Sequence, residues 1–151
     1  MAQTHEYPVT VKWSGGRDGA GQVTAEHSGT TNTLSVPKEF QGPGNGTNPE
    51  ELLTSAIAGC YSLTFGIIAA NQKLPVGDLN VTAVGEVEQN GMNFVYKKIT
   101  VRPRISVNAD ATDDQMTKIE DMAHKADLYC IITNAVRGKV EIEVVPELVK
   151  G

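Results

Sequence analysis

The stretch from Asn48 to Ala70 constrains the fold more than any other part of this sequence, because it is helical by pattern and apolar around most of its circumference. Asn48 can cap it, Pro49 suits the first helical position, and Glu51 completes a capping box. Leu52, Leu53, Ala56, Ile57, Cys60, Leu63, Ile67 and Ile68 follow, while Ala58, Gly59 and Gly66 soften what would be the polar face. A helix with so little polar surface is expected to be buried on most sides. The chain has 151 residues, 40% of them apolar, which is one domain's worth of core. So short a chain has few elements to cover such a helix, and a second copy of the chain is an economical cover. The segment Gln72 to Pro75 ends the helix. Its most apolar part, Ala56 to Ala70, is interrupted by Gly59, Ser62, Thr64 and Gly66 and falls short of the ~20 residues of a membrane span.

The elements on either side alternate or punctuate in readable ways. Tyr7 to Ser14 places Val9, Val11 and Trp13 on one face of a strand. Gly15-Gly16-Arg17-Asp18-Gly19 is a turn, and Gln22 to His27 and Thr33 to Val36 read as two further strands. Gln41 to Thr47 is rich in breakers and reads as a loop. After the long helix, Leu79, Val81, Ala83, Gly85 and Val87 alternate. Asn90-Gly91 signals a hairpin, and Phe94 to Val107 is the return strand, with Pro103 at a bulge or edge. Thr112-Asp113-Asp114-Gln115 is a second capping box, opening a helix whose apolar face carries Met116, Ile119, Met122 and Ala123. It falters near Asp127. A short helix over Cys130–Val136 and a closing strand with Val140, Ile142 and Val144 complete the chain. The order βββ-α-ββ-αα-β groups strands and helices, which predicts an α+β fold in a single domain spanning 1–151.

Composition excludes several functions. Eighteen acids against thirteen bases give a net charge of −5, opposite to the basic footprint of a nucleic-acid module. The eight aromatics (three Phe, four Tyr, one Trp) are too scattered for a base-stacking platform. His5, His27 and His124 are isolated and lack metal-ligand spacing, so no metal is expected. The N-terminus shows neither a basic n-region nor an apolar h-region, which predicts a cytoplasmic protein. There are two cysteines, Cys60 and Cys130, seventy positions apart and outside any C-x-x-C. In a reducing cytosol such a pair points to catalytic or redox-sensing chemistry rather than to a staple.

Each cysteine also has a plain reading as a small core residue. For Cys60 to react, its thiolate must be favoured, and burial alone works against that. The helix N-terminus is too far away to help, because its dipole acts within the first turn. A cation must therefore come from another element. Arg17, at the apex of its glycine-rich turn, is the natural candidate, although the same turn read alone is a solvated charge.

Asn48-Pro49-Glu50-Glu51-Leu52-Leu53 followed by Ala58-Gly59-Cys60 resembles the first cysteine motif of the OsmC/Ohr family. Gly-Gly-Arg17-Asp-Gly resembles the arginine loop of its organic hydroperoxide resistance branch, and Cys130-Ile131-Ile132-Thr133-Asn134-Ala135-Val136-Arg137-Gly138 resembles the second cysteine motif. The family's second motif often carries Pro after the cysteine, where this chain has Ile131. The resemblance implies an intertwined homodimer with two active sites at the subunit interface. It also implies a thiol-dependent peroxidase that reduces organic hydroperoxides to alcohols without a bound cofactor. In that frame Cys60 would be the peroxidatic nucleophile and Cys130 the resolving thiol. Arg17 would stabilise the thiolate, and Glu50 would hold Arg17. The reductant would be an external dithiol, in one branch a lipoylated protein. Leu53, Leu63, Phe65 and Ile131, with Leu52 and Ile132, are candidates for the peroxide's apolar pocket, and each is equally readable as core.

One geometric expectation follows. Ten residues of helix rise about 15 Å, and the side chains at their ends point about 80° apart. If the helix is unbroken, Glu50 and an arginine bound to it belong with the Cys60 of a partner chain. A different class of function stays open beside the enzyme: a non-catalytic dimeric binding protein whose cysteines only pack.

Overall fold

In the computed structural model, which describes residues 1–151, the chain divides into two units, Met1–Leu52 and Leu53–Gly151. The first unit is built on an antiparallel sheet of β1 (Val9–Ser14), β2 (Ala20–Ala25) and β3 (Thr31–Leu34) in sequential order. The second and third strands begin two residues earlier than their apolar alternation suggests. Ser14 pairs with Ala20, so the intervening glycine-rich turn holds the five residues Gly15 to Gly19. Trp13 fixes that turn. Its indole N–H donates to the Gly15 carbonyl at 2.9 Å, and its ring lies against Gly19 and Gly21, where an added Cβ would come within 2.8 and 2.7 Å of ring carbons. Those two positions therefore require glycine. Beyond β3, the chain passes through a 3-10 turn at Lys38–Phe40, and Thr47 returns to bridge Leu34.

Helix α1 runs unbroken from Pro49 to Asn71. Its start follows the sequence chemistry: the Glu51 amide donates to Asn48 Oδ1 at 2.8 Å, and Thr47 and Asn48 donate to the Glu51 carboxylate at 3.0 and 3.3 Å. At its end Lys73 adopts a left-handed φ of 55°, and the Leu74 amide closes back on the Ala69 carbonyl. By length and composition alone this 23-residue helix is long and apolar enough to cross a membrane. Counting only Ala56 to Ala70 understates it, because the helix also takes in the turns on either side.

The second unit contains β4 (Val76–Asn90), β5 (Asn93–Val107), α2 (Asp113–Lys125), α3 (Ile131–Val136), β6 (Glu141–Val144) and β7 (Glu147–Lys150). β4 and β5 form a long antiparallel hairpin. Its two-residue loop is Gly91-Met92, one position later than Asn90-Gly91, because Gly91 alone takes a positive φ, the requirement of a II′ loop. β6 and β7 run parallel to β5 along its other edge, end to end. The closing strand is thus two strands, interrupted where Pro146 has no N–H to offer. Pro103 is neither at the edge nor at a bulge. It sits within the central strand opposite Val81, in the interval that separates β6 from β7, while the register shifts lie near Val76 and Glu86.

Alternate residues of β5, namely Ile99, Val101, Pro103, Ile105 and Val107, are buried and form the floor of the core. Ile57, Tyr61, Phe65 and Ala69 of α1 join the same core, together with Ile119 and Ala123 of α2. These four α1 positions lie four residues apart, so the helix is buried along one line only. Leu63 is 70% exposed and Ile67 61%, and Ala56, Gly59, Gly66 and Ala70 are exposed with them. The expectation of burial on most sides is not met within one chain. The reason is geometric: one sheet and one short helix can cover one face of a cylinder. The Thr112–Gln115 capping box opens α2 as its sequence predicts. Thr54 and Tyr96 share a hydroxyl–hydroxyl hydrogen bond directly over Gly85, leaving no room there for a Cβ.

Candidate functional site

Two free thiols meet in the second unit. Cys60 lies midway along α1, half-buried, beside the Ile57–Tyr61–Phe65 line rather than on it. Cys130 is fully buried at the junction between a 3-10 turn, Ala126–Tyr129, and α3. The Cys130 thiol donates to the Ala126 carbonyl at 3.4 Å, and Cys60, Thr64 and Thr133 lie close enough to act on its ionisation. Thr64 stands one helical turn beyond Cys60, with its hydroxyl 4.0 Å from the Cys60 sulfur. The cluster is therefore two sulfurs and two hydroxyls.

Burial pushes the Cys130 thiol up to about 11, and the neighbouring Cys60 adds to that effect. The nearby Thr64 and Thr133 hydroxyls oppose it, because a hydroxyl can donate to the charged form. Cys130 is therefore a poor nucleophile until something draws off its proton. Tyr61 is also raised, first by burial and then by Asp127 and Cys130, and its hydroxyl donates to the Ala123 carbonyl at 2.6 Å. That bond ties α1 to the end of α2, immediately before the Cys130 junction.

The raised thiol sets a stability window. A Cys130 that stays protonated when folded, but ionises near 9 when unfolded, contributes stability that is full below pH 9. That contribution is lost as pH rises through about 11. Urea unfolding of the reduced protein is expected to weaken by about 2 kcal/mol across that interval through this group. Cys130→Ala should flatten that share of the slope, and an unchanged slope would remove Cys130 as its source.

An ion pair and its hydrogen bonds brace the junction. Arg137 donates to the Asp127 carbonyl at 3.1 Å and pairs with its carboxylate at 3.3 Å, and its Nε donates to Asn134 Oδ1 at 3.0 Å. Asn134 in turn donates to the Leu128 carbonyl at 3.0 Å, and its amide closes on the Cys130 carbonyl at 2.9 Å. Cys130 is thus held in a short loop that is clamped on both sides.

Beside Thr64 an apolar groove of about 390 Å³ opens between Ile67, Ile68, Gln72, Met122 and Tyr129. These residues and the two threonines are not singled out by motif. Spacing is the signal that finds Thr64 and Thr133, four residues after one cysteine and three after the other. The pocket candidates named from sequence lie elsewhere. Leu53 is half-buried, Leu63 is exposed, Ile131 is 79% exposed, and Phe65 is in the core, with its ring parallel to that of Tyr61 and their centroids 6.2 Å apart. Arg17 and Glu50 belong to the first unit, Arg17 exposed on the β1–β2 turn and Glu50 half-buried in the first turn of α1. No group of three or more His, Cys, Asp or Glu side chains is arranged to hold a metal ion.

The family model for OsmC-like protein matches residues 42–145, a span that contains α1, the hairpin and both cysteines. The chain belongs to the OsmC-like family. It is 36% identical over 143 residues to the uncharacterized protein YmaD of Bacillus subtilis, covering 95% of this chain and 93% of that one. It is 28% identical over 138 residues to the organic hydroperoxide resistance protein of Xanthomonas axonopodis pv. citri, covering 90% and 91%. The OsmC-like protein VCA0330 of Vibrio cholerae shares the α+β fold, with a TM-score of 0.77 at 24% identity over 94% of this chain and all of that one.

Proposed function

We propose that this protein is a cysteine-based peroxidase that reduces organic hydroperoxides to alcohols, and hydrogen peroxide less well. The observation that carries the reading is the meeting of the Cys60 and Cys130 thiols in one cluster, in a chain whose relatives include organic hydroperoxide resistance proteins. The Cys60 thiolate attacks the terminal peroxide oxygen, the O–O bond breaks, and the alcohol leaves with a proton. Cys60 is then a sulfenic acid. Cys130 condenses with it, releasing water and closing a disulfide, and an external dithiol, such as that of a lipoylated protein, reopens it by exchange. The groove beside Thr64 suits the apolar tail of the peroxide. Leu53, Leu63 and Ile131 are retained as further contacts for that tail.

The working form in this reading is a homodimer with two shared sites, acting in the cytoplasm. The uncovered apolar strip of α1 supports it, since a partner helix would remove Leu63 and Ile67 from water. The unbroken course of α1 supports the assignment of Arg17 and Glu50 to the partner's Cys60. The family match runs across the division at Leu52, which supports treating residues 1–151 as one functional domain.

The deciding experiment mixes reduced protein with cumene hydroperoxide and counts free thiols. Loss of both thiols per chain, with an intramolecular disulfide found by mass spectrometry, is expected. Retention of both would end the peroxidase reading and favour a binding protein with inert cysteines.

A further inference from the structure

Thr133 has a feature that the peroxidase reading leaves unused. It is 1% exposed, and its hydroxyl oxygen is buried without a hydrogen-bond partner of ordinary geometry. A threonine in a helix commonly satisfies its hydroxyl on the carbonyl three or four residues back. Here neither the Cys130 carbonyl three back nor the Tyr129 carbonyl four back accepts from it. The polar atom beside the Thr133 hydroxyl is the Cys130 sulfur itself. A buried hydroxyl left without a partner in the resting state calls for a state in which it has one.

We propose that the Thr133 hydroxyl, together with Thr64, is a donor held ready for the Cys130 thiolate and accelerates the disulfide-forming step. This rests on the peroxidase reading for its step but not for its geometry. When Cys130 attacks the sulfenic acid, its S–H proton leaves with the sulfenyl oxygen as water. The S–O bond at Cys60 breaks as the S–S bond forms, so the sulfenic sulfur is reduced and the Cys130 sulfur is oxidised. Negative charge passes through the Cys130 sulfur on the way. Cys130 is 0% exposed and so out of contact with bulk solvent, and two hydroxyl hydrogens supply stabilisation in its place. The Ala126 carbonyl, by contrast, accepts the thiol hydrogen and favours the protonated state. Thr64 also lies near Cys60, so its loss touches both steps. Thr133 belongs to Cys130 alone.

The test separates the two chemical steps in Thr133→Val, which preserves shape and removes the hydroxyl. Peroxide-driven oxidation of Cys60, followed by dimedone trapping, should proceed as in the unsubstituted protein. Disulfide closure should slow about tenfold, as expected for loss of a hydrogen bond to a charged group. Thr133→Ser should restore it. If Thr133→Val does not fold, Thr133→Ala is measured in the same way. Closure at the unsubstituted rate, or a Ser variant as slow as Val, would overturn the proposal. A second readout needs no peroxide. In Cys60→Ser, the Cys130 thiolate is titrated by ultraviolet absorbance against Cys60→Ser/Cys130→Ser, which cancels the tyrosines. Adding Thr133→Val should raise the midpoint by about one pH unit. Tyr61 on α1 and Asp127 on the 3-10 turn are the other titrating groups in this cluster once Cys60 is serine, and both are present in every arm. An unmoved midpoint rejects the donor role. Should the unsubstituted protein ignore peroxide altogether, the peroxidase reading fails and this titration still decides the hydroxyl assignment.

Discussion

Cys60→Ser is expected to abolish peroxide reduction, with turnover falling by about 10³-fold or more, whereas Cys130→Ser should stop after one oxidation and leave a trappable sulfenic acid. The two thiols touch the same cluster, yet their settings differ. Cys60 is half-buried, and Thr64, 4.0 Å from its sulfur, lines the apolar groove, so a peroxide can reach it. Cys130 is wholly buried, with its thiol engaged by the Ala126 carbonyl and its ionisation opposed by burial. A bulky hydroperoxide has no route to the second sulfur, but a sulfenic acid on the first is already beside it. The asymmetry predicts an order of events as well as a pair of residues. Dimedone adduct confined to Cys60 in Cys130→Ser, together with a single stoichiometric burst of alcohol, is the expected result. Adduct on Cys130 in Cys60→Ser would reverse the roles.

Local chemistry made much of this architecture readable. Asn48 with Glu51 and Thr112 with Gln115 announce their helices because a cap is a contact between residues three apart, and both contacts form. The long hairpin is readable for the same reason, although its loop falls one residue later because the glycine must take the first loop position. Properties set by distant partners were less legible. The apolar residues of α1 mark a helix that seeks cover on several sides, but not which side this chain supplies. Ile57, Tyr61, Phe65 and Ala69 are the α1 residues fully buried in the core that β5 floors. The splitting of the last strand depends on Pro146 meeting a parallel neighbour. The nearness of Cys60 to Cys130 spans seventy positions and came into view through resemblance to a family, not through periodicity. Thr64 lies outside the cysteine motifs and Thr133 is inside the second without standing out there; their spacing from the cysteines points to both, and the placing of the sulfurs shows why.

Mixed dimers give the sharpest test of how the sites are assembled, and the expected result is recovery of activity from two inactive chains. Arg17→Ala alone should slow the first step, because a half-buried thiol on the middle of α1 gains nothing from the helix dipole and depends on an external cation. Along an unbroken α1 the Glu50 that would anchor Arg17 stands about 15 Å from the Cys60 of its own chain. Each site would then combine the Cys60 of one chain with the Arg17 and Glu50 of the other. Pairing an Arg17→Ala chain with a Cys60→Ser chain therefore creates one site with every group intact and one with neither Cys60 nor Arg17. Such a heterodimer, isolated with two different affinity tags, should recover about half the activity of the unsubstituted dimer. If arginine and cysteine act within one chain, both sites of the same heterodimer are damaged. Activity then stays at the average of the two parent variants. The comparison is insensitive to modest losses of stability, because each substitution is present once in either case, and what changes is only whether the surviving arginine can reach the surviving sulfur.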